Sequence, residues 1–181
     1  MQVYHIEKAV LADAKAIYIL MRTVYENMTD PSLFFCDDFD FVQEQLQKEG
    51  FGIKVCDEKG SLVASLLVRY PGEAEDNLGR ELALADGELE KVAHLESLVV
   101  AAEHRGNGLQ RKMIAYAHNL LLQEKITYVM ATVSPHNIQS RENLRRMGYA
   151  CIATKEKYGG LLREIYLLQN KQISERNGER R

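Results

Sequence analysis

The sequence predicts an α/β fold: a single domain with a mixed central β-sheet flanked by helices. Segments with apolar residues at helical spacing alternate along the chain with short segments typical of strands. The chain has 181 residues, of which 46% are apolar and 27% charged, and this suits one compact domain with a buried core. We expect the domain to span residues 1–170 and residues 171–181 to form a polar C-terminal tail.

The first half of the chain predicts a strand, two helices and a hairpin. Residues 3–9 alternate apolar and polar side chains, as strands do, whereas residues 11–28 carry apolar side chains at helical spacing. Residues 37–50 begin with acids that suit a helix start. Residues 51–71 predict two strands around a turn at Asp57–Gly60. The apolar stripe of the first helix consists of Ala14, Ile17, Leu20, Met21, Val24 and Met28.

The second half begins with an irregular acidic segment, residues 71–91, in which we expect a short helix around Leu78–Leu84. A helix from Gly106 onward follows, with Leu109, Met113, Ala117, Leu120 and Leu121 on one stripe, and another covers residues 135–147. The strands of this half are predicted at residues 92–100, 126–133, 149–156 and 162–169. The order β-α-α-β-β-β-α-β-α-β-β indicates one mixed sheet covered by helices.

The composition argues against several classes of protein. A net charge of −3 disfavours a dedicated nucleic-acid binder. No apolar run approaches the roughly 18 residues of a membrane span, and the N-terminus lacks a cationic start and an apolar signal core. We therefore expect a cytoplasmic protein with neither a nucleic-acid nor a membrane partner. The sequence leaves the oligomeric state open, a homodimer included.

The three cysteines, Cys36, Cys56 and Cys151, match neither a metal-binding pattern nor an even disulfide framework. We expect them to be reduced, and no metal to be bound. They are interpreted as small residues in or near the core, with a catalytic thiol as the alternative.

Residues 103–114, EHRGNGLQRKMI, combine a strand end, a glycine loop and a helix start. The first N–H groups of a helix have no intrahelical partner, and the helix dipole adds positive charge there. Gly106 and Gly108 let the backbone approach an anion closely, and Arg105, Arg111 and Lys112 add charge. The loop alone is consistent with a phosphate site or with an ordinary tight turn.

Two familiar phosphate motifs do not fit this loop. A P-loop requires Lys and Ser or Thr after its last glycine, where this chain has Leu109 and Gln110. A dinucleotide-binding loop requires a third glycine, and Arg111 stands there instead. A nucleotide-binding regulator is therefore disfavoured.

The segment LVVAAEHRGNGLQ resembles motif A of the GNAT superfamily of acyl-CoA-dependent N-acetyltransferases. Val100 stands at the motif's valine, Arg105 at its Arg or Gln, and Gly108 at its glycine. Ala102 replaces the usual proline, and Gln110 replaces the final Gly or Ala. Neither change removes a backbone N–H from the loop.

A second segment, PHNIQSRENLRRMGYA, resembles the downstream GNAT motif. Asn137, Ser140 and the pair Gly148–Tyr149 occupy the matching places, and Leu144 stands where many members have a tyrosine. The resemblance covers most of residues 1–168 and is most specific over residues 92–149. It implies a GNAT-like fold whose motif A strand is splayed from the following strand.

The resemblance further implies that acetyl-CoA is the co-substrate. Its pyrophosphate is expected on the N–H groups at the start of the helix after Gly108, and its pantetheine arm beside the strand Leu98–Val100. Asn137 is expected to bind this arm, with capping of its own helix as the alternative. The residues implied to bind CoA are Leu98, Val99, Val100, Arg105, Gly106, Asn107, Gly108, Leu109, Gln110, Arg111, Asn137, Ser140 and Asn143.

The implied reaction is direct attack of an amine on the acetyl thioester. Glu96 is the expected general base, because several members carry a catalytic carboxylate on this strand; the alternative is a surface carboxylate. Strand alternation places His94 on the face of Glu96, either as a proton relay or as a packing residue. A backbone N–H near Val99 or Val100 is the expected oxyanion donor.

The acid that protonates the leaving thiolate is not identified. Leu144 replaces the usual tyrosine, and Tyr116, Tyr149 and Tyr158 are alternatives, with Tyr149 expected to pack in the core. The thiolate can also take a proton from the tetrahedral intermediate or from water.

The expected function is therefore an N-acetyltransferase acting on a primary amine of a small molecule or peptide. Asp37, Asp38 and Asp40, with seven acids in residues 73–90, either steer a cationic acceptor or only keep the protein soluble. The alternative function is a CoA-binding sensor or interaction module without turnover, and the leucine at position 144 keeps it open.

Overall fold

The computed structural model describes residues 2–169 and follows the predicted order of elements. The tail expected at residues 171–181 lies outside the described residues. Among residues 2–169, no helix is both long and apolar enough to cross a membrane. The strands are β1 Tyr4–Lys8, β2 Gly50–Asp57, β3 Leu62–Arg69, β4 Val92–Val100, β5 Tyr128–Val133, β6 Ala150–Lys157 and β7 Leu161–Gln169. The helices are α1 Ala14–Glu26, α2 Phe39–Glu44, α3 Asp86–Leu89, α4 Leu109–Gln123 and α5 Ile138–Arg146.

The strands form one seven-stranded sheet in the order β1-β2-β3-β4-β5-β7-β6. β4 and β5 are parallel, whereas β1–β2, β2–β3, β5–β7 and β6–β7 are antiparallel. The pairing of β4 with β5 runs from Val92 opposite Tyr128 to Leu95 opposite Ala131, although both strands continue beyond these residues. The predicted α/β class with a mixed sheet is confirmed.

The chain divides into two compact units, and β4 and α4 contribute to both. Within the described residues, the first unit contains residues 2–69 and Glu96–Ala117, and the second contains Tyr70–Leu95 and residues 118–169. Each unit has its own apolar cluster. The expected single domain of residues 1–170 stays a prediction.

The core of the first unit forms around the predicted stripe of α1. Ala14, Ile17 and Met21 are buried there, and they cluster with Leu67 and Val99. The acids expected to start the second helix do so, because Asp38 accepts a hydrogen bond from the Phe41 N–H at 2.8 Å. After α2 the chain continues as a wider π-helical turn, Gln45–Glu49, which ends at the strand β2.

The core of the second unit contains Leu78, Val92, Met130 and Ile165. The short helix expected around Leu78–Leu84 is a single 3-10 turn, Leu78–Leu82. It ends because the next residue, Ala83, adopts a left-handed conformation with φ of 51°.

A buried polar network links α5 to β7 in the second unit. Glu164 accepts hydrogen bonds from Arg141 Nε at 2.8 Å and from the Tyr166 hydroxyl at 2.6 Å. Arg141 also donates to the Pro135 carbonyl at 3.0 Å, at the end of β5. Burial disfavours the ionised carboxylate, but these hydrogen bonds outweigh it and hold the pKa of Glu164 below its usual value.

We expect Glu164→Gln to lower the free energy of unfolding by about 1–3 kcal/mol at pH 7, because it weakens charge-assisted bonds to the half-buried Arg141 and the buried Tyr166. Because the pKa of Glu164 is lower in the folded state than in the unfolded state, its ionised carboxylate stabilises the fold at pH values above the unfolded-state pKa. This stabilisation is lost as the pH falls through the folded-state pKa. The difference from wild type should therefore shrink below about pH 4. Urea denaturation at several pH values measures both effects.

The matched control is Glu142→Gln, which removes the same charge from a residue of α5 whose side chain is 44% exposed and whose ion pairs with Arg145 and Arg146 span 3.7 and 3.8 Å. We expect it to change stability by less than about 0.5 kcal/mol. Equal losses in the two variants would contradict a special role for the buried network.

Candidate active site

The strand β4 runs without a break from Val92 to Val100, but its regular backbone is interrupted at Ser97, one residue after the predicted base. Pairing with β5 ends at Leu95, and Ser97 adopts a left-handed backbone conformation with φ of 44°. This conformation is unfavourable for a residue with a side chain, and residues in it cluster at functional sites. Glu96 and Ser97 are both half-buried. The interruption marks this part of β4 as a candidate site.

Asp37 lies against this interruption. Its Oδ2 accepts a hydrogen bond from the Ser97 hydroxyl, from a position just before α2. Burial, with added repulsion from the charges of Glu96 and Asp38, raises the pKa of Asp37 to about 6, against the opposing effect of the Ser97 hydrogen bond. Sequence reasoning placed Asp37 only in an acidic cluster and missed its contact with β4.

The glycine loop after β4 has the backbone that a close approach to an anion requires. Gly106 and Gly108 are left-handed, with φ of 81° and 70°. Apart from Gly106 and its two chain neighbours, no residue of the described range 2–169 has an atom within 4 Å of the place where a Cβ of Gly106 would stand. The Asn107 amide donates to the carbonyls of His104 and Arg105 at 3.0 and 3.3 Å, which braces the turn from within.

The helix α4 begins directly after this loop. Leu109, its first residue, is buried, whereas Arg105 and Arg111 are exposed and Gln110 is half-buried. Three further members of the predicted stripe, Met113, Ala117 and Leu121, are buried as expected. The buried apolar residues at the start of α4 therefore hold the loop in place, while the basic side chains of Arg105 and Arg111 face solvent.

A contact from β1 anchors the loop. His104, buried in the short turn that precedes the glycines, has its Nδ1 3.1 Å from the Tyr4 hydroxyl and 3.4 Å from Gln2 Nε2. Lys112 Nζ lies 5.9 Å from the centre of the Tyr4 ring, within cation–π range. Sequence reasoning missed this anchor, since nothing local to either segment signals it.

The strand Leu98–Val100 lies in the first unit with the loop. Val99 is buried in the core cluster, and the Val100 carbonyl accepts from Arg105 Nε at 3.3 Å. The Ala101 N–H donates to the Val63 carbonyl at 2.9 Å, so the chain is still fixed to β3 just past the end of β4. Glu96, this strand and the loop therefore belong to one compact unit.

The other predicted CoA-binding residues lie on α5 in the second unit. Asn137 caps this helix, because its Oδ1 accepts from the Ser140 N–H at 3.1 Å. Asn143 is buried and its Oδ1 lies 3.4 Å from Gln139 Nε2. Leu144 is buried, with only 2% of its surface exposed.

His94 is buried, and its Nε2 accepts a hydrogen bond from the Leu78 N–H at 3.0 Å. An accepting Nε2 leaves the ring proton on Nδ1 when the imidazole is neutral. These contacts match the packing interpretation of His94.

Two of the tyrosines considered as acids have partners in the second unit. Tyr149 is buried as expected, its hydroxyl lies 2.6 Å from His118 Nε2, and burial raises its pKa well above the usual value. The Tyr158 hydroxyl lies 2.9 Å from Thr132 Oγ1 on β5. Tyr149 is therefore poorly suited to donate a proton to a substrate.

The family model described as "Acetyltransferase (GNAT) family" matches residues 15–149, which include the loop, β4 and α5. The chain belongs to the GNAT family. A comparison with curated protein sequences finds no match.

Several solved acetyltransferases share the fold of this GNAT protein. An N-acetyltransferase from Staphylococcus aureus is 15% identical, with a TM-score of 0.68 over 93% of this chain and 99% of that one. The yncA protein from Salmonella typhimurium, solved with acetyl-CoA, is 18% identical, with a TM-score of 0.68 over 93% and 94%. An aminoglycoside acetyltransferase in complex with coenzyme A is 15% identical, with a TM-score of 0.69 over 96% and 98%. At these identities the likeness concerns the fold.

The cysteines of this GNAT protein are free: Cys151 is exposed, and Cys36 and Cys56 are half-buried. Burial raises the pKa of the thiols of Cys36 and Cys56, which keeps both protonated at neutral pH. Such thiols are weak nucleophiles, in keeping with the packing interpretation.

The acidic segment of residues 73–90 is partly neutralised. Glu81 pairs with Lys155 on β6 and Glu88 pairs with Lys91, in addition to the expected cation Arg80. Counting charges within the segment therefore overstated its negative potential, because Lys155 comes from a distant part of the sequence.

We expect Gly106→Ala and Gly108→Ala each to destabilise the protein by about 1 kcal/mol, because alanine disfavours the left-handed backbone that both positions require. Gly87→Ala is the matched control, since Gly87 has room for a Cβ, as Gly106 does, but has no positive φ and lies in α3. Thermal melting compares the three. A loss at Gly87 as large as at the loop glycines would contradict the backbone explanation.

Proposed function

We propose that this protein transfers the acetyl group of acetyl-CoA to a primary amine of a small molecule or peptide. The match of the GNAT family model over residues 15–149 carries the proposal. The left-handed glycine loop at the start of α4 supports it, since it has the form of an anion-binding helix start. The free cysteines suit a reducing compartment, and we place the protein in the cytoplasm.

In this proposal the CoA pyrophosphate lies on the backbone N–H groups from Arg105 to Arg111. The open space around Gly106 suits this role, because a ligand oxygen can reach the backbone there. Leu98–Val100 pairs with the pantetheine arm through its backbone. Asn137, Ser140 and Asn143 provide further polar contacts; the capping bond of Asn137 occupies one lone pair and leaves its NH₂ group as a donor.

The proposed chemistry is direct attack of the amine on the thioester carbonyl carbon. Glu96 is the general base that accepts the first proton from the ammonium form of the acceptor, R–NH₃⁺, and an N–H near Val99 or Val100 stabilises the oxyanion. The carbon–sulfur bond then breaks, and the thiolate takes the second amine proton. This route needs no tyrosine at position 144, where Leu144 is buried.

The acceptor class follows from charge. Asp37, Asp38 and Asp40 form an acidic group in the first unit, which also contains Glu96, and such a group attracts a cationic amine. The second candidate function is a CoA-binding sensor without turnover, which the buried Leu144 at the usual tyrosine position favours.

Calorimetry and a thiol-release assay separate these functions. We expect acetyl-CoA to bind while ATP and NAD do not, because the loop lacks the residues of the P-loop and dinucleotide motifs. A panel of polyamines, aminoglycosides, amino acids and N-terminal peptides should include an acceptor that releases CoA thiol. Tight acetyl-CoA binding with no release for any amine would favour the sensor, and turnover of anionic acceptors only would contradict electrostatic steering.

We expect Glu96→Gln to lower kcat about 10²-fold or more with the affinity for acetyl-CoA unchanged, because a general base typically contributes roughly 10²–10⁴-fold. The loss should be largest below the pKa of the acceptor amine, where a proton must be removed. Glu103→Gln, the same change at an exposed residue of the next turn, is the control for charge alone. Unchanged turnover of Glu96→Gln across the pH range would remove Glu96 from the mechanism.

A further inference from the structure

Two carboxylates from distant parts of the sequence lie near the interruption of β4, Asp37 in contact with Ser97 and Glu96 next to Ser97 in the chain. Asp37 and Glu96 are both half-buried, and they are close enough for the charge of Glu96 to oppose ionisation of Asp37. The hydroxyl of Ser97, the residue next to Glu96, donates to Asp37 Oδ2 and fixes this carboxylate against β4. The left-handed conformation of Ser97 sets the direction of this contact.

We propose that Asp37 is a second catalytic carboxylate of the acceptor site, which binds the acceptor as an ammonium ion together with Glu96 and shares the proton that the ammonium gives up. This inference rests on the proposed function and narrows its substrate class to amines that are cationic at neutral pH. A pair of neighbouring carboxylates attracts a cation more strongly than one does, and it also holds a proton more tightly.

The proposed step balances as follows. R–NH₃⁺ gives one proton to the Asp37–Glu96 pair, and the freed nitrogen lone pair forms a bond to the acetyl carbonyl carbon. The carbon–sulfur bond breaks, and its electron pair leaves with the sulfur as the oxyanion re-forms the carbonyl. The second amine proton goes to the thiolate, which gives the amide and CoA thiol. The pair then returns its proton to water.

The raised pKa of Asp37, about 6, suits this role, because a base works best when its pKa lies near the working pH. At pH 7 and above, most Asp37 side chains are then ionised and available to a cation. The charge of Asp38, on the same segment, also acts on Asp37. Asp37 in turn acts on the thiol of Cys36, which the guanidinium of Arg22 on α1 affects as well. Among these described groups, only Glu96 comes from β4.

The activity test compares pH profiles of kcat/KM for the best amine of the panel. The wild-type value should fall as the pH drops through about 6, where Asp37 takes up a proton. Asp37→Asn should lose this fall at low pH, which is the acid limb of the profile. Its kcat/KM at pH 7.5 should drop by only about 10- to 100-fold, since Glu96 remains. Glu96→Gln should move the limb to lower pH, because a neighbouring negative charge is gone, and Ser97→Ala should move it to higher pH, because a donor is lost.

Asp40→Asn is the matched control, since it removes one exposed carboxylate three residues from Asp37 and outside the contact with Ser97. If loss of long-range attraction raises KM in Asp37→Asn, Asp40→Asn should show the same salt-dependent rise. The acid limb of Asp40→Asn should stay at the wild-type pH. An Asp37→Asn variant with a wild-type acid limb would overturn the proposal, as would a limb that Asp40→Asn moves equally.

A second measurement does not depend on acyl transfer. Carbon NMR of the labelled carboxyl groups should show one aspartate that titrates near pH 6, disappears in Asp37→Asn and moves to lower pH in Glu96→Gln. Added 1,4-diaminobutane, a dication at neutral pH, should shift this resonance. Absence of such a carboxyl group, or of its response to the diamine, overturns the pair even if the enzyme turns over. Absence of turnover with this titration intact refutes the proposed function instead.

Discussion

The left-handed backbone of Ser97 is the constraint on which the candidate site depends. Up to Leu95, β4 is an ordinary inner strand paired in parallel with β5. Before Ser97, Val92 packs into the apolar cluster of the second unit, and beyond Ser97, Val99 packs into the core of the first unit. The strand is therefore held by apolar contacts on both sides of the interruption. Such packing offsets the roughly 1–3 kcal/mol that a strained residue costs. The hydroxyl that meets Asp37 is thereby held by the core rather than by a loop.

The order of elements was predictable because each has a local signal, such as the helical stripe of Ala14, Ile17 and Met21, which is buried as expected. The order of strands in the sheet has no such signal. β7 lies between β5 and β6, so the last described strand is internal, and this depends on its pairing with β5, from which α5 and β6 separate it in the sequence. The partial neutralisation of the acidic segment by Lys155 escaped prediction for the same reason.

In the candidate site, too, the features with a local sequence signal were predictable and the contacts between distant residues were not. Gly106 and Gly108 were predictable as a tight loop because glycine itself favours a left-handed backbone, and both adopt it. The contact of Asp37 with Ser97 spans 60 positions and that of Tyr4 with His104 spans 100, so neither leaves a trace in local sequence. A side chain's partner across such distances is set by tertiary packing, which short motifs do not encode.

The division of the first unit into two stretches of chain has a consequence for how the protein is made. Its core cluster joins Ile17 and Leu67 to Val99, and its other half, Glu96–Ala117, follows an intervening segment that belongs to the second unit. During synthesis α1, β2 and β3 therefore emerge well before the strand that completes their core. The glycine loop and the Asp37–Ser97 contact can form only after that late strand arrives, so contacts of high sequence separation govern the last step of ordering, which slows folding.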